Sequence, residues 1–224
     1  MRLGGERDLA ERYGVSRSTL RAALDHLESE GAVQRVSGRA GGTFVAERKV
    51  ERDLTSLAGL PAYLRRQGFQ SDARVLRTAT TDADADAQQA LRAELVHEVV
   101  RVRLADGEPI SLERACFPAE RFPDLLDRSL AGSIYELLET QYALKPGEAE
   151  ERIEVVAAGA EEARLLGLRR GAPLLAIART AWDAAGQPFE RSHDLFRADR
   201  ARIVVRARAA PAAPTLVGAT VQVM

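Results

Sequence analysis

The sequence predicts an α+β protein built in two units, and three observations predict it. Helical periodicity opens the chain, and a glycine-tipped hairpin follows it within residues 1–46. From residue 54 to 206, strand-like and helix-like runs alternate. Two of the strand pairs are joined by short turns, at Asp106-Gly107 and at Asp183-Ala184-Ala185-Gly186, so their sheet is largely antiparallel.

The first unit reads as two helices and a hairpin. A helix begins at Glu6 and ends at Gly14, where a residue free to take positive φ is needed. Ser16 is a favoured N-cap, so a second helix follows at once, with Ala10 small enough to let the two approach. Leu9, Val15, Leu20, Leu24 and Leu27 fall on one face or at the turn and form a small core. After Gly31, Val33 and Val36 mark one strand and Thr43, Phe44 and Val45 another, with Ser37-Gly38-Arg39-Ala40-Gly41-Gly42 as a flexible tip. Such a unit lays its second helix in a DNA major groove with the hairpin beside it. Arg17, Ser18 and Arg21 project away from the leucines. An arginine there can fork to guanine O6 and N7, and Ser18 and Thr19 can reach phosphates or bases. An ordinary helical hairpin with solvated arginines would carry the same leucine pattern.

Residues 47–53, Glu47 to Asp53, are charged without apolar period and read as a linker. Beyond them the predicted strands are Arg74–Ala79, Glu98–Leu104, Ile110–Phe117, Glu150–Val156, Leu174–Ala181, Phe189–Phe196 and Ala201–Val205. The predicted helices are Pro61–Gln67, Ala85–Glu94, Ile134–Tyr142 and Ala160–Leu166. Residues 207–224, rich in Ala and Pro from Arg208, read as a tail.

Composition narrows the functional classes. The 224 residues allow about two domains, and 46% hydrophobic content is ample for a core. No run approaches the ~20 apolar residues of a membrane span, and no apolar stretch follows the charged amino terminus. A single cysteine, Cys116, excludes a disulfide framework and suits a reducing cytosol, so a cytoplasmic protein is expected. The three histidines, His26, His97 and His193, have no metal spacing, so neither metal nor cofactor is expected. Net charge is −1, yet residues 1–52 sum to about +2, so any attraction to DNA is local.

Binding candidates in the second unit come from strand geometry. Arg101 and Arg103 are two apart on a strand and share a face. Two guanidiniums converging there repel unless an anion or a carboxylate lies between them. A solvated strand face is the plainer reading. Ser133-Ile134-Tyr135-Glu136 is a capping box, structural in itself, whose helix N-terminus can also offer amides to an anion. The hairpin from Arg101 to Arg114 resembles the one from Arg179 to Arg191, as in a pseudo-symmetric sheet whose halves frame one pocket. Loop parity decides the rest: an odd loop at Asp106-Gly107 puts Glu113 on the arginine face, an even one turns it away. Glu113 and Glu190 could also act as paired carboxylates of an enzyme, although no nucleophile order or P-loop accompanies them.

The run Glu6-Arg7-Asp8-Leu9-Ala10-Glu11 through Val15-Ser16-Arg17-Ser18-Thr19-Leu20-Arg21 resembles the winged helix-turn-helix of the GntR family of bacterial transcription regulators. That resemblance implies operator DNA contacts at Arg7, Ser16, Arg17, Ser18, Thr19, Arg21, Ser37 and Gly38. The family carries another helix before this run, so the resemblance implies a winged helix lacking its first helix, with Gly4-Gly5 where a Pro-Ser pair is usual. From Leu54 to Arg206 the chain resembles the chorismate-lyase-like UTRA effector domain of the HutC subfamily. Leu54-Thr55-Ser56, Arg101-Val102-Arg103, Ser111-Leu112-Glu113, Ser133-Ile134-Tyr135, Gly171-Ala172-Pro173-Leu174-Leu175 and Phe189-Glu190, with Phe196-Arg197-Ala198-Asp199-Arg200, carry that match. It implies a homodimeric repressor modulated by a small anionic metabolite, of sugar phosphate or carboxylate type. The implied contacts are Thr55, Ser56, Arg101, Arg103, Glu113, Ser133, Tyr135 and Glu190, and Phe196 stands where many members place a Tyr. A dimeric DNA clamp indifferent to metabolites is the remaining alternative.

Overall fold

A computed structural model describes residues 2–29, 32–36, 38, 41–45 and 48–206. Ser37 and the expected tail beyond residue 206 lie outside the described residues. The amino-terminal unit comprises β1 (Arg2–Gly4), α1 (Glu6–Tyr13), α2 (Arg17–Ser29), β2 (Val33–Val36) and β3 (Gly42–Val45). Gly14 ends α1 at φ 64°, its amide donating to the carbonyls of Ala10 and Glu11. Leu9, Ala10, Leu20, Leu24 and Val33 make the core. Val15 and Leu27, expected in it, are 40% and 37% exposed. Val15 lies in the turn between the helices and Leu27 at the margin of the apolar stripe, and helical periodicity alone does not resolve the edge of a stripe. β1 pairs antiparallel with β3, making the hairpin the larger part of a three-stranded sheet.

The charged run expected as a linker is in part a strand. β4 (Val50–Asp53) buries Val50 and Arg52 and pairs in parallel with β11 (Ala201–Val204). Its alternation is too short, and its second inward residue too polar, to read as a strand. α3 (Leu60–Arg66) packs beside it.

The second unit is a six-stranded antiparallel sheet of order β5-β6-β7-β10-β9-β8. Its strands are β5 (Ser71–Asp82), β6 (Leu95–Ala105), β7 (Glu108–Pro118), β8 (Pro146–Ala157), β9 (Pro173–Asp183) and β10 (Pro188–Arg197). α4 (Ala85–Leu91) bridges β5 to β6, α5 (Ile134–Tyr142) lies between β7 and β8, and α6 (Ala160–Leu166) bridges β8 to β9. The run β5-α4-β6-β7 is thus repeated as β8-α6-β9-β10, and the two similar hairpins meet at the centre through β7 and β10. The edge strands β5 and β8 are largely exposed on both faces, so they lack clean alternation and extend further than their sequence predicts. α4 stops at Leu91, short of the expected Glu94, because Arg92 takes a left-handed conformation at φ 53°.

Two apolar layers cover the sheet. Ile134, Tyr135 and Leu138 of α5 pack with Phe117, Phe122 and Leu130 on one face. Ala163, Leu165 and Leu166 of α6 pack with Val102, Leu112 and Leu174 on the other. α3, β4 and β11 close one end around Leu64, Ile110 and Phe196.

Register decides the site. The Asp106-Gly107 turn has two residues, both at positive φ (53° and 80°), so the loop is even. On parity alone Glu113 would face away from Arg101 and Arg103. Between Leu104↔Pro109 and Arg103↔Ser111, however, the pairing shifts by one and leaves Ile110 as an extra residue on β7. That bulge reverses the parity, and Glu113 pairs directly with Arg101. Ile110 is only 1% exposed, so packing with α3 holds the bulge in place.

Candidate functional site

The amino-terminal unit presents a polar helix end. Ser16 caps α2, its Oγ accepting from the Thr19 amide at 3.1 Å and lying 2.8 Å from Ser18 Oγ and 2.7 Å from Thr19 Oγ1. These hydroxyls and the free amides of the first turn make a surface suited to phosphate oxygens. Arg17 is exposed beside them, Arg7 is exposed on α1, and Gly38 holds φ 112° on the hairpin tip. Arg21 is already engaged: its Nη2 donates to Glu6 Oε2 at 2.8 Å. Arg35 of β2 ties the hairpin to α2 through Asp25 at 2.5 Å and Glu28 at 2.6 Å.

The sheet carries a buried charged cleft. Arg101 Nη2 donates to Glu113 Oε2 at 2.6 Å, and Arg103 Nη2 donates to the same oxygen at 3.2 Å. Further donors of Arg101 meet the carbonyls of Leu130 and Gly132 at 2.7 and 3.2 Å, and Arg103 Nη1 meets Ala131 and Gly132 at 3.4 and 3.3 Å. The carboxylate that two adjacent guanidiniums require is therefore Glu113 itself. Burial alone would raise its pKa, but the charges of Arg103 and Arg101 prevail and bring it down to about 2.

A second cluster faces it across the central strands. Arg179 Nε and Arg52 Nη2 donate to Glu151 Oε1 at 2.7 and 3.2 Å. Arg179 Nη1 donates to Tyr135 Oη at 3.1 Å, and that hydroxyl donates to Glu190 Oε2 at 2.6 Å. Burial pushes Glu190 up to about 7 against the Tyr135 hydrogen bond, with the Glu113 charge adding to the rise. Asp194 stands opposite Glu113 on the neighbouring strand. Burial, then the charges of Glu113 and Glu190, push its pKa well above the ordinary value for an aspartate. Four buried guanidiniums, Arg52, Arg101, Arg103 and Arg179, thus meet four carboxylates, and burial disfavours the charged form at three of these, Glu151, Glu190 and Asp194. The free space within the cleft is about 50 Å³. At roughly 10–15 Å³ per water, that is room for one oxyanion group in the inner part of a cleft that is open at its rim.

Profile comparisons match the description "Bacterial regulatory proteins, gntR family" to residues 1–45 and the UTRA domain to residues 66–202. The chain belongs to the GntR family of bacterial transcription regulators. It is 34% identical to the HTH-type transcriptional repressor NagR of Bacillus subtilis over 203 residues, covering 89% of this chain and 83% of that protein. It is 28% identical, with the same coverage of each, to the probable fructoselysine utilization operon transcriptional repressor of Escherichia coli. Among solved structures, PhnF of Mycobacterium smegmatis superposes with a TM-score of 0.77 at 26% identity, covering 94% of this chain and 95% of that one.

Like the rest of its family, this GntR protein is a DNA-binding transcription regulator and not an enzyme. The paired-carboxylate reading of Glu113 and Glu190 falls with that. The geometry agrees, since a carboxylate fixed between two arginines does not exchange protons near neutral pH.

Six of the residues expected at the effector site of this GntR protein line the cleft: Arg101, Arg103, Glu113, Ser133, Tyr135 and Glu190. Thr55 and Ser56 do not. The Thr55 hydroxyl donates to Asp53 Oδ1 at 2.5 Å, and the Ser56 carbonyl accepts from Tyr63 Oη. Gly59, Leu60 and Pro61 take their place on the rim. A Cβ on Gly59 would sit 3.0 Å from Ser133 Oγ, so glycine lets this rim close on α5. The capping box is half made: Ser133 Oγ accepts from the Glu136 amide at 3.2 Å, while the Glu136 carboxylate pairs with Arg65.

Sequence reasoning missed Arg52, Arg179 and Asp194. Arg179 was within reach, since it occupies in the second hairpin the place of Arg101 in the first. Asp194 follows from alternation along β10 once Glu190 faces inward. Arg52 had no signal, because a parallel pairing with residues 201–204 sets its orientation.

Proposed function

We propose that this GntR protein is a cytoplasmic repressor that binds a palindromic operator as a homodimer, and that a small anionic metabolite in the sheet cleft sets its grip on DNA. One observation carries the reading: a buried cleft lined by four guanidiniums, those of Arg52, Arg101, Arg103 and Arg179, whose polar groups converge on a small space. Burying such charge is costly unless partners complete it, and an oxyanion bearing hydroxyls is such a partner. Arg101, Arg103 and Glu113 set the field, while Tyr135, Glu190 and Asp194 offer hydrogen bonds to the neutral part of the ligand. The metabolite would favour one dimer geometry, and with it one spacing between the two α2 helices and successive major grooves.

The relatives named as repressors favour repression over activation. The test is a mobility-shift titration with the operator upstream of the flanking genes, repeated with a panel of sugar phosphates and carboxylates. One compound should shift operator affinity saturably and raise the melting temperature of the protein. If none does either, the protein is a metabolite-independent dimeric clamp.

A further inference from the structure

We infer that the anionic group of the ligand is seated on Arg52, and not on the Arg101–Arg103 pair; this rests on the proposed effector reading of the same cleft. The donors of Arg101 and Arg103 are directed at Glu113 and at the carbonyls of Leu130, Ala131 and Gly132. Displacing those bonds would cost an incoming anion much of what it gains. Arg179 is likewise directed at Glu151 and Tyr135.

Arg52 differs. It is 3% exposed, it lines the cleft, and its Nε and Nη1 have no hydrogen-bond partner among the described residues. Only its Nη2 is used, at 3.2 Å to a Glu151 oxygen that Arg179 also holds. Its other contact is the face of the Tyr63 ring, 5.2 Å from the guanidinium carbon. A guanidinium buried with unspent N–H groups is a costly arrangement unless a ligand completes it. Its charge acts on Glu190, Asp194 and Tyr135, so an oxyanion seated on it lies within reach of the groups that would hold ligand hydroxyls. The ligand is therefore an oxyanion, phosphate or carboxylate. Arg52 also lies on β4, the first strand after the hairpin of the DNA-binding unit, so an anion there bears on the strand by which the chain enters the sheet.

The experiment is calorimetric titration of the full chain with inorganic phosphate and, separately, acetate, at constant pH and ionic strength held with chloride. The proteins are wild type, Arg52→Gln and Glu151→Gln. Wild type should bind one of the two anions saturably, and which one identifies the ligand class. Arg52→Gln should bind it at least about tenfold more weakly, as expected for a lost charge-assisted contact. Glu151→Gln, which releases the one competitor for Arg52, should bind it severalfold more tightly, an outcome that a purely structural Arg52 would not give. Circular dichroism checks that both variants fold, and if Arg52→Gln does not, the Glu151→Gln result decides alone. Equal binding by wild type and both variants places the anion elsewhere and overturns the seat while sparing the effector reading. No binding of either anion to wild type overturns both.

Discussion

The two units of this GntR protein use arginine in opposite ways. On the amino-terminal unit Arg7, Arg17 and Arg21 stand in solvent, and their ion pairs, such as Arg21 with Glu6, connect exposed groups. In the sheet, Arg101, Arg103 and Arg179 are each at most 6% exposed and fixed by the carboxylates of Glu113, itself buried, and Glu151, which is partly buried. Exposed pairs exchange easily with water and phosphate, which suits a surface that must meet and leave DNA. Buried pairs hold one geometry, and removing either partner strands a charge. The same residue type is an interchangeable contact in one unit and a fixed element of shape in the other.

Glu113 gives the hardest way to break that contrast. Glu113→Ala leaves Arg101 and Arg103 adjacent, buried and without the carboxylate between them. It should cost about 3–5 kcal/mol, the usual penalty for breaking a buried pair. Urea unfolding of the sheet unit, followed by the single tryptophan Trp182, measures it. A loss below about 1 kcal/mol would show that the cleft is solvated enough to behave like the surface.

Glu190 tests the same contrast through pH. Its folded-state pKa of about 7 lies above the ordinary carboxylate value, so the native protein binds more protons than the unfolded chain between the two. The group's contribution to stability is fully present below the unfolded pKa and is lost as pH rises through about 7. Ionisation also adds a negative charge to the cleft, beside Tyr135 and Arg179 and near Glu113 and Arg52. Sulfate keeps its charge across this range and serves as the probe. Wild type should bind sulfate severalfold more weakly at pH 8 than at pH 6, and Glu190→Gln should lose most of that dependence. Identical profiles for the two proteins would falsify the assignment of Glu190 as the titrating group.

These residues also show where sequence is informative and where it is not. The amino-terminal unit is local: Gly14, Ser16 and the Leu9, Leu20 and Leu24 positions act on neighbours within a few turns, so they are legible directly. In the sheet, Arg101 and Arg103 share a face by simple alternation. Whether Glu113 joins them depends on one extra residue, Ile110, whose bulge is fixed by packing against α3 some fifty residues upstream. No pattern within β7 encodes that. Arg52 is the extreme case, an inward guanidinium in what reads as a charged linker, oriented by β11. Long-range pairing is what sequence pattern alone does not supply.

On the DNA-binding face, Arg17→Ala should weaken operator binding by about 1–3 kcal/mol if Arg17 reads a base, and it should relax specificity at that position. The melting transition should not move, because Arg17 is exposed and outside the leucine core. A competition assay with singly mutated operators separates base reading from phosphate contact, which weakens all sequences alike. Unchanged affinity would remove Arg17 from the interface.

The smallest expected effect belongs to Arg21, because its donors are shared. In the protein alone its Nε and Nη2 both donate to Glu6 Oε2, at 3.3 and 2.8 Å. To reach DNA it must leave that carboxylate, so part of any gain on binding is offset by the pair it gives up. Arg21→Ala should therefore weaken operator binding less than Arg17→Ala does. Glu6→Gln should tighten it, by less than about fivefold, since an exposed pair is weak to begin with. Glu6 also lies 3.7 Å from Arg35 of the hairpin, so the double variant Glu6→Gln, Arg21→Ala is the necessary control. If Glu6 acts only by occupying Arg21, its substitution has no further effect once Arg21 is gone. If the tightening persists, Glu6 works through Arg35 or by repelling phosphate, and Arg21 is better placed among the structural ion pairs than among the contacts to DNA.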